Sequence, residues 1–91
     1  MKRIVKPTGQ FHRDIKLAKK QNRDLALLFD AVEKLANGER LAPKFRDHGL
    51  AGNWKDAREC HIEPDWLLVY EIRKDVLILN RVGTHSELFG K

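Results

Sequence analysis

The sequence predicts an α+β fold in which an N-terminal strand and a helical hairpin pack on a mainly antiparallel sheet of about four strands. A short helical turn follows at the C-terminal end. Two observations predict this class. Apolar residues recur at helical spacing in the first half, whereas the second half holds apolar runs separated by turns too short for a parallel crossover. The chain has 91 residues, so we expect a single domain over residues 1–91.

The first half is predicted to hold a strand and two helices. A short apolar run ended by a proline is typical of an edge strand, here over about residues 2–6. Thr8 is suited to cap a first helix near residues 8–21, and Asn22 is the candidate cap of the second. The second helix carries an apolar stripe and ends at Asn37-Gly38, because glycine readily takes the left-handed conformation there.

The second half is predicted to hold a loop and then three antiparallel strands. Residues 39–53 show no sustained period and contain a proline and two glycines, so we expect a long loop, a feature that is often functional. Thr84 and Glu87 fit a capping box that opens the last helical turn. The predicted strands cover residues 57–62, 66–72 and 76–82.

Positive charge is concentrated in the helical half. The formal net charge is +5. Residues 1–50 hold 12 Lys and Arg against 6 Asp and Glu, whereas residues 51–91 hold 6 against 7. Such a basic block attracts phosphate backbones, although a solvated helix face is the alternative.

Two further features of the composition bear on location. The one cysteine, Cys60, rules out an intrachain disulfide and indicates a reducing, cytoplasmic environment. No apolar run reaches the roughly 18–20 residues that a membrane span needs, so we expect no membrane association.

Strand pairing gathers polar residues at one end of the predicted sheet. The short turns set His61 opposite roughly Trp66, and Arg81 opposite roughly Leu67. The loop that carries His48 enters from the opposite end, and the sequence leaves open whether it folds back. The residues predicted to meet at this end are His61, Asp65, Trp66, Arg81 and His85.

This set suits the cleavage of RNA, which carries its own nucleophile, the ribose 2′-OH. The reaction needs a base, an acid and a cation for the charged phosphorane. Histidine serves both proton transfers because its unperturbed pKa is about 6.5. Arg81 would stabilise the phosphorane, Asp65 would orient a histidine, and Trp66 or Phe89 would stack on a base.

Structural roles are the alternatives for the same residues. A tryptophan is more often a core anchor than a stacking surface, which is the alternative for Trp66. Arg81 could pair with Asp65 or Glu71. A transition-metal site is disfavoured because the chain has no short ligand pair of the zinc-finger kind. In addition, Cys60 and His61, as strand neighbours, point to opposite faces.

Three segments of the chain resemble a known family. They are KFRDH at residues 44–48, LAGNWKDARECHIEPDWLLVYEI, and ILNRVGTHSELFG near the C-terminus. Together they are similar to the YafQ branch of the RelE/ParE-type toxins of type II toxin–antitoxin pairs. The resemblance covers nearly the whole chain and implies a RelE-like fold. It also implies a ribosome-dependent mRNA endonuclease, or mRNA interferase, that cleaves A-site codons without a metal or other cofactor.

The resemblance also implies site residues and partners. The partners are a DinJ- or RelB-like antitoxin, in a complex that is often a heterotetramer, and the 70S ribosome A site with its mRNA and ribosomal RNA. Two alternative functions stay open, a nuclease that cuts free RNA and a ParE-like gyrase poison. The implied catalytic residues are His48, His61, Asp65, Arg81, His85 and Phe89. The expected RNA-binding residues are Lys16, Lys19, Lys20, Arg23, Lys44, Arg46, Lys55 and Trp66.

Overall fold

The computed structural model describes residues 2–52 and 56–90. It confirms the α+β class and the order strand, helical hairpin, meander, helical turn. No helix within those ranges is long and apolar enough to span a bilayer. The elements are β1 (Ile4–Pro7), α1 (Gly9–Lys20), α2 (Leu25–Ala36), a 3-10 turn (Pro43–Phe45), β2 (His48–Gly49), β3 (Arg58–Glu63), β4 (Trp66–Arg73), β5 (Val76–Gly83) and α3 (His85–Phe89).

Over the described ranges the sheet has five strands in the order β1-β5-β4-β3-β2, rather than about four. Strand β1 is an edge strand, as predicted, and runs parallel to β5, whereas the other pairs are antiparallel. The additional strand is β2, a two-residue segment of the predicted loop, in which His48 pairs with Glu59 and Gly49 with Arg58. The long loop is therefore attached to the sheet edge.

The two faces of the sheet are covered differently. Helices α1 and α2 cover one face, where the larger core includes Trp66 and Leu68. The other face carries a small apolar cluster that α3 covers through Leu88. Strand β4 contributes side chains to both clusters and is buried from Trp66 to Tyr70, as expected of a central strand.

Helix ends follow the predicted caps with one exception. The Thr8 hydroxyl accepts a hydrogen bond from the Phe11 N–H at 3.1 Å, and Thr84 forms the expected capping box with Glu87. The prediction that Asn22 caps α2 is wrong, because Asn22 lies in the connection with a φ of +58°. Asp24 caps the helix instead and accepts from the Ala26 N–H.

Irregularities on both sides of β4 shift the predicted register. His61 pairs with Leu67 rather than Trp66, and a bulge lies between His61 and Glu63. Arg81 pairs with Val69 rather than Leu67, because the β4–β5 turn is one residue shorter than expected and Asn80 is an extra residue in β5. Arg81 consequently lies further from the Asp65 end of the sheet than the sequence predicted.

Candidate active site

Three histidines form a row on the sheet face opposite the helical hairpin. The ring centroids of His48 and His61 are 6.3 Å apart, and those of His61 and His85 are 5.8 Å apart. They come from β2, β3 and the first residue of α3, so three separate elements build the row. The structure thus joins His48 to the pair that strand register had predicted.

Asp47 fixes the loop that delivers His48. Its Oδ1 accepts hydrogen bonds from the Tyr70 hydroxyl at 2.7 Å and from the Arg58 Nε at 3.1 Å. Burial and the bond to Asp47 raise the pKa of Tyr70, so this phenol remains a donor. Arg46 turns the chain with a φ of +49°, and its carbonyl lies 2.7 Å from His48 Nδ1. The loop does fold back onto the sheet.

Asp65 orients His85 through two hydrogen bonds to one oxygen. Its Oδ1 accepts from the His85 backbone N–H at 3.0 Å and lies 2.6 Å from the ring Nδ1. The backbone bond, followed by the ring bond, lowers the pKa of Asp65, which is therefore ionised at neutral pH. Because a carboxylate only accepts, Nδ1 carries the hydrogen and Nε2 is the nitrogen available for proton exchange.

Glu59 is a site residue that the sequence reasoning missed. Its Oε1 lies 3.4 Å from His61 Nε2 and 3.6 Å from His48 Nε2, and the residue is only 5% exposed. A buried carboxylate between two imidazoles can pair with a positive charge on either ring. The strand pattern could have indicated Glu59, because a residue two positions before His61 lies on the same face of the strand.

Arg81 is held by Asp14 of α1. The Arg81 Nε and Nη2 each lie 3.0 Å from a carboxylate oxygen of Asp14, which is 7% exposed. Asp14 also accepts from the Val82 backbone N–H and the Gln10 side-chain amide, both at 3.1 Å. The carboxylate that pairs with Arg81 is thus Asp14, and not Asp65 or Glu71, the two partners that the structural alternative had named.

The pairing leaves part of the Arg81 guanidinium for a ligand. The hydrogen bond to Asp14 raises the pKa of Arg81, which stays charged. Two of the five N–H groups that an arginine side chain carries are used by Asp14. The side chain is 25% exposed, so the pairing with Asp14 does not bury Arg81 completely.

The two aromatic candidates differ in accessibility. Trp66 is 1% exposed and lies in the core beneath the helical hairpin, with the Arg23 guanidinium 5.6 Å from its ring centroid. It cannot stack on a base, so its predicted RNA-binding role is wrong. Phe89 is partly buried and packs against the apolar cluster on the face of the histidine row.

The expected RNA-binding cations are not equivalent. Arg23 is half-buried and lies 3.6 Å from a carboxylate oxygen of Glu63, so it has a structural partner. Lys55 lies outside the described residues. The remaining members are exposed on α1 and on the loop before β2, namely Lys16, Lys19, Lys20, Lys44 and Arg46.

Three side chains of the site could hold a metal ion. Glu59, His61 and His85 each offer one ligand atom, and these atoms all lie within 4.8 Å of one another. Nitrogen and carboxylate ligands suit zinc or copper. Cys60 takes no part, since it is fully buried on the opposite face, where burial raises its thiol pKa to about 12.

Comparison with known proteins places the chain among toxins. A family model described as the YafQ toxin of bacterial type II toxin–antitoxin systems matches residues 3–90. The mRNA interferase toxin YafQ of Escherichia coli K12 is 38% identical over 91 residues, which cover 99% of each chain.

Solved structures have the same fold. In the E. coli DinJ–YafQ toxin–antitoxin complex, the matching chain is 38% identical with a TM-score of 0.91, over 99% of this chain and 100% of that one. A metal-bound toxin from Helicobacter pylori is 47% identical with a TM-score of 0.90, over 96% of this chain and 99% of that one.

Proposed function

The chain belongs to the YafQ family of bacterial type II toxins, and on that premise we propose that it is an mRNA interferase whose histidine row cleaves RNA. The observation that carries the proposal is the Asp65–His85 pair beside His61, with ring centroids 5.8 Å apart. A carboxylate-oriented histidine facing a second histidine provides both proton transfers that RNA cleavage needs.

The reaction is a transesterification within the RNA strand. One histidine takes the 2′-OH proton while the 2′ oxygen bonds to phosphorus, and another donates a proton to the 5′ oxygen as its bond to phosphorus breaks. The products are a 2′,3′-cyclic phosphate and a 5′-hydroxyl. His85 acts through Nε2, and His61 or His48 is its partner. The free edge of Arg81 stabilises the charge on the phosphorane.

The substrate of this site is mRNA in the ribosomal A site. Exposed lysines on α1 form a basic surface on the helical half that suits the phosphates of ribosomal RNA. A domain of 91 residues is small enough to enter the confined space of the ribosomal A site. The DinJ–YafQ complex further supports an antitoxin as the cellular partner of this chain, with a heterotetramer as the assembly.

The test is removal of the proposed acid–base residue. We expect His85→Ala to reduce the rate of mRNA cleavage on programmed ribosomes by about 10²- to 10⁴-fold, which is the usual contribution of a positioned general acid or base. His12→Ala is the matched control, because His12 is an exposed histidine of α1 and should leave cleavage unchanged. Full activity of His85→Ala would refute the assignment.

Two companion assays, one with free RNA and one with DNA gyrase, separate the alternative functions. Cleavage of free RNA at the same rate with and without ribosomes would indicate a ribosome-independent nuclease. Accumulation of cleaved DNA complexes with gyrase, with intact mRNA, would indicate a ParE-like poison. We expect neither outcome.

Metal addition provides an independent test of the acid–base proposal. Because Glu59, His61 and His85 have a ligand spacing that fits one ion, a bound metal would occupy nitrogens that must exchange protons. We expect protein that has been stripped of metal with EDTA and then dialysed to cleave mRNA on Mg²⁺-containing ribosomes at the full rate, and stoichiometric Cu²⁺ or Zn²⁺ to inhibit it. Loss of activity after this treatment that Zn²⁺ restores would contradict the proposed mechanism.

A further inference from the structure

A groove of about 550 Å³ opens beside the histidine row, at the edge of the sheet. It lies between α2 and the end of β3, and His61 forms part of its wall. Strand β2 pairs only with the first two residues of β3, so among the described residues the outer edge of this end of β3 has no strand beside it, whereas β4 pairs with its inner edge. The lining residues that bear on its chemistry are Leu27, Asp30, Lys44, Arg46, Ile62 and Glu63.

The unneutralised charge of the groove is positive. Both of its carboxylates have cationic partners, since Asp30 lies 3.2 Å from Lys34 and Glu63 lies 3.6 Å from Arg23. Lys44 lies with its ammonium 5.5 Å from the Phe45 ring centroid. Within residues 2–52 and 56–90, neither Lys44 nor Arg46 is in an ion pair. Two cations are therefore available to an anion.

The groove also has an apolar part. Leu27, which is 44% exposed, lines it together with the buried Ile62. The volume of the groove falls in the range of roughly 300–1,000 Å³ that is typical of small-ligand sites. Cations that hold a phosphate, next to an apolar surface for a base, are the usual elements of single-stranded RNA recognition.

We propose that this groove binds one nucleotide of the RNA strand, adjacent to the scissile phosphate. Lys44 and Arg46 hold its phosphate, and Leu27 contacts its base. The groove and the histidine row share His61, so a strand that crosses the row reaches the groove at the edge of the sheet. This inference rests on the proposed nuclease function and names a substrate subsite for it.

A charge placed on the apolar wall tests the subsite. Leu27→Glu opposes both the base and its phosphate, whereas Phe29→Glu is the matched control. Phe29 lies on the same helix, is 49% exposed and does not line the groove. Loss of one nucleotide contact worth about 1.4 kcal/mol corresponds to a tenfold change. We expect Leu27→Glu to raise KM for A-site cleavage about tenfold, and Phe29→Glu to change it less than twofold.

A binding measurement decides the subsite without cleavage. The wild-type protein and both variants are titrated with a 2′-O-methyl RNA trinucleotide, which the nuclease cannot cut, and methyl NMR signals are followed. We expect the Ile62 methyl signals to shift in the wild type and in Phe29→Glu, but not in Leu27→Glu. The assay remains informative if the wild type proves to have no nuclease activity.

Two results would overturn the subsite. One is equal KM values and equal NMR shifts for the two glutamate variants. The other is a Leu27→Glu variant that keeps normal RNA binding but loses affinity for the antitoxin, which would assign the groove to an antitoxin segment. His85→Ala should still bind the trinucleotide, so failure of the subsite and failure of the chemistry give different results.

Discussion

Replacement of Asp14 by asparagine tests the contact that joins α1 to β5. The carboxylate accepts four hydrogen bonds, from Gln10, from two nitrogens of Arg81 and from the Val82 N–H. An asparagine has one acceptor oxygen, so its amide nitrogen must face two of these donors. The Gln10 amide can reverse and supply an oxygen, but an Arg81 N–H loses its partner and the ion pair loses its anion.

The expected cost follows from these contacts. A hydrogen bond to a charged group contributes about 1.5–3 kcal/mol, and the loss of the ion pair adds less because Arg81 is 25% exposed. We therefore expect Asp14→Asn to lower the free energy of unfolding by about 2–3 kcal/mol. With a urea m-value of about 1 kcal/mol/M for a small domain, the midpoint should fall by about 2–3 M.

Asp24→Asn is the control for this measurement. Asp24 is an exposed N-cap, and asparagine caps a helix about as well as aspartate. Its urea midpoint should stay within about 0.5 M of the wild-type value, given the same m-value. Equal midpoints for the two variants would refute the reasoning. So would a double-mutant cycle with Arg81→Gln that shows no coupling between the two positions.

Three further predictions concern single residues. Because the pKa of Asp65 is lowered in the folded state, its contribution to stability is present above about pH 4 and is lost as the pH falls through the folded value; urea titrations of wild type and Asp65→Asn should therefore differ at pH 5 and converge towards pH 2. Burial raises the pKa of Cys60 to about 12, so the native thiol should not react with Ellman's reagent at pH 8, whereas protein in urea should react fully; rapid labelling of native protein would contradict this. Thr84→Ala removes the hydrogen bond to the Glu87 N–H and should cost about 1 kcal/mol in urea denaturation, whereas Thr84→Ser should cost much less; equal costs for the two variants would show that the cap does not stabilise α3.

Local sequence patterns predicted most of the fold. The helical stripes, the Thr8 and Thr84 caps and the three-strand meander depend on interactions within a few residues or across short turns, and all are present. Strand β2 has only two residues, too few for any pattern. It forms because Asp47 binds Tyr70, which lies 23 residues further along the chain.

The site was predictable in part for the same reason. His61, Asp65 and His85 come together because the turn after β3 and the start of α3 are local features. The partner of Arg81 was not predictable, because Asp14 is 67 residues away and the bulge at Asn80 has no clear sequence signature. Trp66 shows the limit of reasoning from residue type, since an aromatic side chain suits a core and a stacking surface equally well.

The parallel pairing of β1 with β5 has a consequence for biosynthesis. Strand β1 cannot form its pairing until β5 has been synthesised, and Asp14 cannot bind Arg81 before then. Contacts between such distant residues form late because long loops must close first. His85 directly follows β5 in the sequence. We therefore expect a nascent chain to have neither a completed sheet nor a complete set of acid–base groups until residues 76–85 have been synthesised.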